Sequence, residues 1–261
     1  YTLDSSKEAV SKLTSGQVIP ENRLDFTVTD GYNPVSSQMT LTIKAGASID
    51  GDANGQTIIG SAGNDTIDGK GGADIIHGMA GNDTLMDVDG KAILYGDEGD
   101  DTFVVKDIKN TGTIEPKNFS EIHGGVGVDT IQVSGTGKIL DMRESAWTGA
   151  KAMDSIEIID IAGGNNLYLD SFGVSKLNTS RPVGDETPAH PLRIIGAAGS
   201  TFEFTDTGQG WQCADPTALV TDAKGRTFYV FEDSSGNTVL VQTTLTQVIH
   251  GTGNADNFTA Q

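Results

Sequence analysis

The sequence predicts an all-β protein built around a parallel β-roll. Two observations predict this fold: a nine-residue unit repeats six times without a gap from Gly51 to Val104, and the eighth position of every unit is apolar. The units read GDANGQTII, GSAGNDTID, GKGGADIIH, GMAGNDTLM, DVDGKAILY and GDEGDDTFV. A fixed internal period indicates a repeat architecture, in which each unit buries its apolar face against its neighbours.

Each unit is typical of a glycine-rich loop followed by a very short strand. We expect two units to form one coil and the coils to stack, so that position 8 points into the core. Glycine suits the loops because it adopts backbone angles that other residues reach only at a cost. The position-8 residues are Ile58, Ile67, Ile76, Leu85, Leu94 and Phe103.

Aspartate occupies position 6 in four units, and alternate units place this position on opposite edges of the roll. Stacked carboxylates repel one another unless a cation lies between them. Ca²⁺ suits such loops better than Mg²⁺, because it accepts many oxygen ligands in flexible geometry. The first edge carries Asp65, Asp83 and Asp101, and the second edge carries Gln56, Asp74 and Ala92.

The nonapeptides resemble the RTX repeat, GGxGxDxUx, which is a calcium-binding β-roll motif. GSAGNDTID, GMAGNDTLM and GDEGDDTFV follow it most closely. The resemblance implies that Ca²⁺ lies between alternate loops, bound by positions 2, 4 and 6 of one loop and 1, 3 and 6 of the other, with carboxylates at position 6 and carbonyl oxygens elsewhere. The implied sites are Ser61, Gly63 and Asp65 with Gly78, Ala80 and Asp83, and then Met79, Gly81 and Asp83 with Gly96, Glu98 and Asp101.

The second edge departs from the family pattern because Asp74 is its only position-6 carboxylate. We expect one or two weak or empty sites there. A further unit, GGVGVDTIQ at 124–132, stands apart and offers Asp129 as another weak ligand; the sequence leaves open whether it rejoins the roll. Candidates for compensating ligands on the second edge are Asp52, Asn54, Asp87 and Asp89.

The segment before the roll predicts a β-hairpin. Asp25–Gly31 alternates and then turns, and Met39, Leu41 and Ile43 alternate again. This segment resembles the end of a VCBS/cadherin-like repeat, and the resemblance implies Ig-like strands over residues 1–46.

The segment after the roll predicts a C-terminal β-rich module. It resembles a module that follows RTX units in large adhesins. We expect a short amphipathic helix at Arg143–Asp154 and strands at Ser155–Ile161, Leu167–Leu169, Leu192–Ile195, Thr201–Thr205, Thr227–Glu232 and Thr238–Val248. The predicted division is 1–46 for the Ig-type module, 47–132 for the roll with its core at 51–104, 133–250 for the β-rich module, and 251–261 for the start of a further RTX unit.

The composition supports cation binding. The net charge is −19, and residues 51–104 hold 11 acidic and 2 basic side chains, which gives −9 for that segment. This balance excludes nucleic acid as a partner, since phosphates need Lys and Arg. The single cysteine, Cys213, excludes an internal disulfide. We therefore expect bound calcium to stabilise the fold in place of a disulfide. No apolar run reaches the length of a membrane span.

No catalytic constellation is evident, and we expect no enzyme. The HExxH and GxSxG motifs are absent. His77, His123 and His250 each precede a glycine-led unit, which predicts position-9 residues instead of a cluster. Asp215-Pro216 resembles the bond cut in self-processing modules of some RTX proteins, but we interpret it as an ordinary Asp-Pro turn.

Together these features predict a calcium-folded structural or extender segment of a bacterial adhesin, exported by type I secretion to the cell surface and serving cell adhesion and biofilm formation. One alternative is a calcium-dependent lectin or peptide-binding domain at 133–250, whose partner would be carbohydrate or peptide on a host or neighbouring cell. A solvent-facing Trp211 ringed by carboxylates would favour that alternative, and a buried Trp211 would favour a scaffold. A lesser alternative is an accessory module of a secreted RTX enzyme or self-processing protein.

Overall fold

The structure is a computed structural model of the chain. It describes the backbone at 23–29 and 34–40, and residues 46, 48–87, 91–107, 109–116, 121–147, 152–177, 191–205 and 210–247. The first two segments, β1 (Arg23–Thr29) and β2 (Pro34–Thr40), pair as an antiparallel hairpin. A hairpin was predicted here, but its second strand begins earlier than the predicted alternation of Met39, Leu41 and Ile43, of which Leu41 and Ile43 lie outside the described residues. The remainder of the predicted Ig-type module and the predicted RTX start at 251–261 lie outside the described residues.

The other described strands belong to three sheets, which are named here. The long sheet contains β3 (Ser48–Asp50), β5 (Thr66–Asp68), β7 (Thr84–Met86), β9 (Thr102–Val105), β12 (Thr130–Val133), β15 (Ile158–Asp160), β17 (Leu192–Ile195), β19 (Gln212–Cys213), β20 (Val220–Thr221), β21 (Thr227–Glu232) and β22 (Thr238–Gln242). The N-terminal sheet contains β4 (Thr57–Ile59), β6 (Ile75–His77), β8 (Ile93–Glu98), β11 (Glu121–Val126) and β14 (Met153–Asp154). The C-terminal sheet contains β10 (Thr113–Ile114), β13 (Ile139–Met142), β16 (Asn166–Leu169), β18 (Thr201–Phe204) and β23 (Thr246–Gln247).

In the nonapeptide region, consecutive strands alternate between the long sheet and the N-terminal sheet. Stacked strands are parallel and pair position 8 with position 8: Ile67 lies beside Leu85, and Ile76 lies beside Leu94. All four of these side chains are buried, because position 8 points inward on both sheets. The predicted all-β fold with a parallel roll is therefore confirmed.

The separate unit at 124–132 rejoins the roll. Strand β11 pairs with β8, and β12 pairs with β9, so that Phe103 lies beside Ile131. The intervening chain contributes β10, the first strand of the C-terminal sheet. This coil is longer than a nonapeptide pair because it adds a third strand to the two of the roll.

The long sheet continues past residue 133, where the sequence predicts a change of module. Strands β12, β15, β17 and β22 pair in parallel, and the C-terminal sheet grows beside them. The boundary therefore marks a change in coil length within a continuous sheet. Whether 133–250 folds independently stays a prediction.

Helix α1 (Ser171–Leu177) lies where the N-terminal sheet ends. It contacts β14, and the Leu177 carbonyl accepts a hydrogen bond from Ile156 N–H at 3.3 Å. A covered sheet end is protected from pairing with another chain. At the C-terminal side of the long sheet, β21 turns antiparallel to β22, and β19 and β20 pair with β21.

The predicted helix at Arg143–Asp154 is wrong. A 3-10 helix spans Glu144–Trp147, and the segment then re-enters the sheet at β14. Parallel pairing of Met153 with Ile122 competes with a helix there, and the Trp147 indole donates to the Met142 carbonyl at 3.0 Å, which holds the short turn. The strands predicted at Leu192–Ile195 and Thr227–Glu232 have those bounds in the structure.

Candidate metal centre along one edge of the solenoid

A column of carboxylates runs along the first edge. Each position-6 residue directly precedes a strand, so the parallel register stacks these residues. Main-chain N–H groups and carboxylates link the coils: Asp65 N–H donates to Asp83 Oδ1 at 2.7 Å, and Asp83 N–H donates to Asp101 Oδ1 at 2.7 Å. The column continues as Asp101 N–H donates to Asp129 Oδ1 at 2.9 Å and Asp129 N–H donates to Glu157 Oε2 at 2.8 Å.

The inner members of the column are buried and incompletely satisfied. Asp83, Asp101 and Asp129 are at most 1% exposed. Within the described part of the chain, the Oδ2 atom of each of the three has no hydrogen-bond partner. A buried ionised carboxylate without a partner is costly, and a bound cation would remove that cost.

The pKa values of these carboxyls reflect the same cost of burying a charged group. Burial, followed by repulsion from the neighbouring carboxylates, raises the pKa of Asp83 to about 7 and that of Asp129 to about 8. Burial and the nearby Asp97 and Asp100 raise the pKa of Asp101 to about 6. Main-chain hydrogen bonds to the carboxylates oppose these shifts without cancelling them. Without metal, Asp83 and Asp129 thus retain protons near neutral pH.

Glycine at position 1 leaves room for two converging oxygens. A Cβ at Gly60 would lie 2.7 Å from Asp65 Oδ2 and would also meet the carbonyl oxygen of Gly78 on the next coil. The same pair of oxygens, a carboxylate from the unit itself and a carbonyl from the next coil, faces Gly78 and Gly96. This mixture of carboxylate and carbonyl oxygens fits a hard cation such as Ca²⁺.

The carbonyl ligands that the resemblance implies lie on this edge, but several already accept hydrogen bonds from the next coil or an adjacent one. The carbonyl of Met79 accepts from Glu98 N–H at 2.7 Å, and that of Glu98 accepts from Gly81 N–H at 2.9 Å. The carbonyl of Ser61 accepts from Ala80 N–H at 3.4 Å. A carbonyl oxygen has two lone pairs, so one remains for a metal ion. The assignment of individual ligands stays a prediction.

Asp65, at the N-terminal end of the column, differs from the inner members. Its carboxylate accepts hydrogen bonds from the main-chain N–H and the hydroxyl of Ser61, the hydroxyl at 3.1 Å. The same hydroxyl accepts a bond from Gly63 N–H at 3.2 Å. Local hydrogen bonds therefore supply part of what a cation would supply elsewhere.

The second edge is discontinuous. Gln56 N–H donates to Asp74 Oδ1 at 2.8 Å, but the next coil offers Ala92, which is fully buried and has no side-chain oxygen. The Asp87 carboxylate accepts hydrogen bonds from the Lys91 and Ala92 N–H groups at 3.0 and 3.1 Å. These bonds stabilise the loop that contains Asp87.

The remaining compensating candidates do not supply the missing carboxylate either. Asp52 accepts from Asn54 N–H at 2.7 Å in an exposed turn. Asp89 lies outside the described residues. Among the residues that the structure describes, no group of three or more His, Cys, Asp or Glu side chains converges on one point. A cation on either edge would therefore depend on main-chain oxygens as well as carboxylates.

The position-9 histidines form a surface stack with a tyrosine. The ring centroids of His77 and Tyr95 are 4.6 Å apart, and those of Tyr95 and His123 are 4.8 Å apart. His123 Nδ1 lies 3.0 Å from Asp154 Oδ2, and this hydrogen bond raises the pKa of His123. The stack follows from in-register pairing of β6, β8 and β11.

Two C-terminal features have simple structural explanations. Trp211 is half-buried and stacks on Phe204 with a centroid distance of 4.4 Å, as part of the packing around the core. Asp215 accepts the Thr217 N–H and hydroxyl groups at 2.8 and 2.6 Å, and these hydrogen bonds lower the pKa of Asp215. Asp215-Pro216 thus lies in an ordinary exposed turn.

The family comparison matches the beginning of this edge. A model of the RTX calcium-binding nonapeptide repeat, in four copies, matches residues 50–85. This segment is therefore similar to RTX calcium-binding repeats. No significant match to the chain was found among curated proteins or among solved structures. No helix within the described ranges has the length and apolar character needed to cross a membrane.

The column extends well beyond the matched RTX segment. Asp101 and Asp129 were predicted from sequence, but Glu157 was not. The signal was nevertheless present: Glu157 follows Asp129 by the same 28 residues that separate Asp129 from Asp101, and apolar Ile158 and Ile159 come next. It was missed because a glutamate in a glycine-free segment does not match the RTX consensus.

Proposed function

We propose that the chain is a calcium-folded structural segment of a secreted bacterial RTX adhesin, and that it acts as an extender or presenter of binding modules at the cell surface. The column of buried carboxylates on the first edge is the observation that carries this proposal. Its orphaned oxygens at Asp83, Asp101 and Asp129 recur once per coil, as a structural cation array requires.

The composition explains why the fold would depend on the ion. The chain is only 6% aromatic, and each nonapeptide strand buries one apolar side chain between two sheets. A core this thin gives limited stabilisation, whereas metal binding to an unformed site contributes its free energy directly to folding.

Calcium dependence also suits export. Sites with dissociation constants of ~10⁻⁴–10⁻³ M, typical of extracellular modules, would stay empty in the cytosol and fill outside. The chain would then pass a type I secretion channel unfolded and fold on arrival. The single cysteine fits this route, since no disulfide has to form within the chain.

A non-catalytic role, in adhesion and biofilm formation, is part of the proposal. The half-buried Trp211, stacked on Phe204, supports a scaffold more than an open carbohydrate platform. The exposed turn at Asp215 accepts two hydrogen bonds from Thr217 and has the geometry of a structural turn.

Circular dichroism with calcium removal and return tests the proposal. In EGTA the β-sheet signal should fall and the melting temperature should drop, and millimolar Ca²⁺ should restore both. Equal concentrations of Mg²⁺ should restore little, because Mg²⁺ demands a small octahedral site and gives up its water reluctantly. An unchanged spectrum and melting temperature in EGTA would contradict the proposed function.

A further inference from the structure

We propose that residues 155–160 form a shortened, hidden repeat unit and that a further Ca²⁺ binds between this unit and the unit at 124–132, held by Asp129 and Glu157 together with main-chain oxygens. The proposal rests on the proposed calcium-dependent function. It extends the metal edge into a segment without a recognisable nonapeptide.

The register of the long sheet identifies the hidden unit. Ile131 pairs with Ile159, so Glu157 stacks on Asp129 at position 6. Ile159 is buried, as position 8 is in all six nonapeptide units. Residues 155–160 therefore reproduce the spacing from carboxylate to strand and core residue, with a shorter loop and without a glycine.

The loop of the hidden unit is shorter than a repeat loop. Strand β14 pairs Asp154 with His123, so Ser155 lies beside Gly124, at position 1. Glu157 follows Ser155 by two residues, whereas Asp129 follows Gly124 by five. Ser155 has φ of 55°, which is uncommon for serine and falls at the start of this tight loop.

Oxygens from the two coils converge beside Gly124. A Cβ at Gly124 would lie 2.6 Å from Asp129 Oδ2 and would also collide with the carbonyl oxygen of Ser155 on the hidden unit. The same arrangement faces Gly96, where Asp101 Oδ2 meets a carbonyl from the next coil. The space beside Gly124 thus has the oxygen pair seen in the RTX part of the edge.

The orphaned Oδ2 atom of Asp129 indicates a ligand. Asp129 has no exposed surface, its Oδ1 atom accepts the Asp101 N–H, and its Oδ2 atom has no hydrogen-bond partner among the described residues. Two carboxylates, from Asp129 and Glu157, with neighbouring carbonyls form a hard oxygen set that favours Ca²⁺ over softer metals.

The column ends one coil later. Ile158 pairs with Arg193, which places the buried Leu192 at the position where the next carboxylate would stand. The guanidinium of Arg193 interacts electrostatically with Glu157. The cationic side chain of Arg193 therefore follows Glu157 along this edge. The series of stacked carboxylates that could hold Ca²⁺ ends at Glu157.

Native mass spectrometry of the full chain, titrated with Ca²⁺, tests the inference by counting bound ions. Glu157→Gln keeps an oxygen acceptor for Asp129 N–H but removes the charge, so it should lose one ion. The matched control is Glu203→Gln, the same change at a buried glutamate of the C-terminal sheet, which should keep the wild-type count. Circular dichroism in saturating Ca²⁺ should show the same fold for all three proteins.

A second variant guards against a folding defect in the first. Asp129→Asn keeps the acceptor for Asp101 N–H. It should lose two ions, because Asp129 contributes to two proposed sites, one shared with Asp101 and one shared with Glu157. If Asp83→Asn lowers the ion count while Glu157→Gln leaves it at the wild-type value, this inference is overturned and the proposed function stands. If the wild-type chain binds no calcium, both are overturned.

Discussion

At the scale of single residues, position 2 of several units is strained. Lys70 and Asp97 have φ values of 65° and 71°, in the left-handed region where a side chain costs roughly 1 kcal/mol. The RTX consensus has glycine there. The repeat loop thus imposes its backbone conformation even where the sequence lacks the residue best suited to it.

Lys70→Gly should stabilise the calcium-bound protein by about 1 kcal/mol, because it removes the left-handed penalty at an exposed site. The ion pairs that Lys70 makes with Asp50 and Asp68, at 3.1 and 2.9 Å, are exposed and contribute little. Urea unfolding in saturating Ca²⁺ measures the effect. Lys224→Gly, at an exposed residue outside the left-handed region, should give no gain. An equal gain in both variants would refute the role of backbone strain.

At the scale of the element, the length of the column determines which carboxylate matters most. From sequence, Asp83 is the sole inner member between Asp65 and Asp101. In the structure, Asp101 and Asp129 are inner members too, because the column continues to Glu157.

Replacing an inner carboxylate should raise the calcium midpoint of folding by about tenfold or more, or ~1.4 kcal/mol. Each inner carboxylate contributes to two proposed calcium sites, one with the carboxylate before it and one with the carboxylate after it. Asp83→Asn and Asp101→Asn should behave alike. Asp65→Asn should be milder, since Ser61 already satisfies part of its carboxylate. Asp74→Asn should be mildest, and a loss equal to that of Asp83→Asn would invalidate the assignment of the two edges. Calcium titrations followed by circular dichroism decide the order.

The raised pKa values of the column predict a pH dependence that calcium reverses. A carboxyl whose pKa rises from 3.8 to about 7 on folding, as in Asp83, binds its proton more tightly in the folded chain. Its contribution is complete below pH 3.8 and is lost as the pH rises through 7. Asp101 and Asp129 extend this window from about 6 to about 8.

In calcium-depleted buffer the melting temperature should therefore rise as the pH falls from about 8 to about 5. In saturating Ca²⁺ the trend should reverse, because protons then compete with the metal. The triple variant Asp83→Asn, Asp101→Asn, Asp129→Asn should lose most of the dependence in depleted buffer. A profile as steep as that of the wild type would place its origin elsewhere, for example at His123, whose raised pKa acts in the same direction.

At the scale of the whole molecule, the continuous long sheet links the RTX coils to the C-terminal ones. Both tryptophans, Trp147 and Trp211, lie beyond the nonapeptides, so their fluorescence reports the C-terminal coils alone. Calcium removal should change tryptophan emission and circular dichroism over the same range of free calcium. Loss of the sheet signal with unchanged emission would indicate that the two parts fold independently.

The sequence predicted the regular part of this architecture and missed the irregular part. Position 8 and the unequal edges were readable because each nonapeptide pair repeats one spacing. The continuation past Ile159 was not readable, because its partner Ile194 and the next partner, Val241, follow at increasing distances along the chain. Parallel pairing across coils of growing length leaves no period.

Helix α1 was missed for a related reason. Gly173 argues against a helix, yet a Cβ there would collide with the Met142 carbonyl oxygen, so close packing requires glycine. The readable signal was Asp170, whose carboxylate accepts the Gly173 N–H at 2.8 Å as an N-terminal cap.

The stacked coils also have a mechanical consequence. A force along the solenoid axis passes through every junction between coils in series, because each coil contacts only its neighbours. At the nonapeptide junctions the paired strands β5 and β7 are three residues long, so few main-chain hydrogen bonds share the load. Ions held along the first edge would bear tension in parallel with those bonds, whereas Ala92 offers no such link on the second edge. A tether of this kind would be stiff in calcium-rich surroundings and would yield where calcium is scarce.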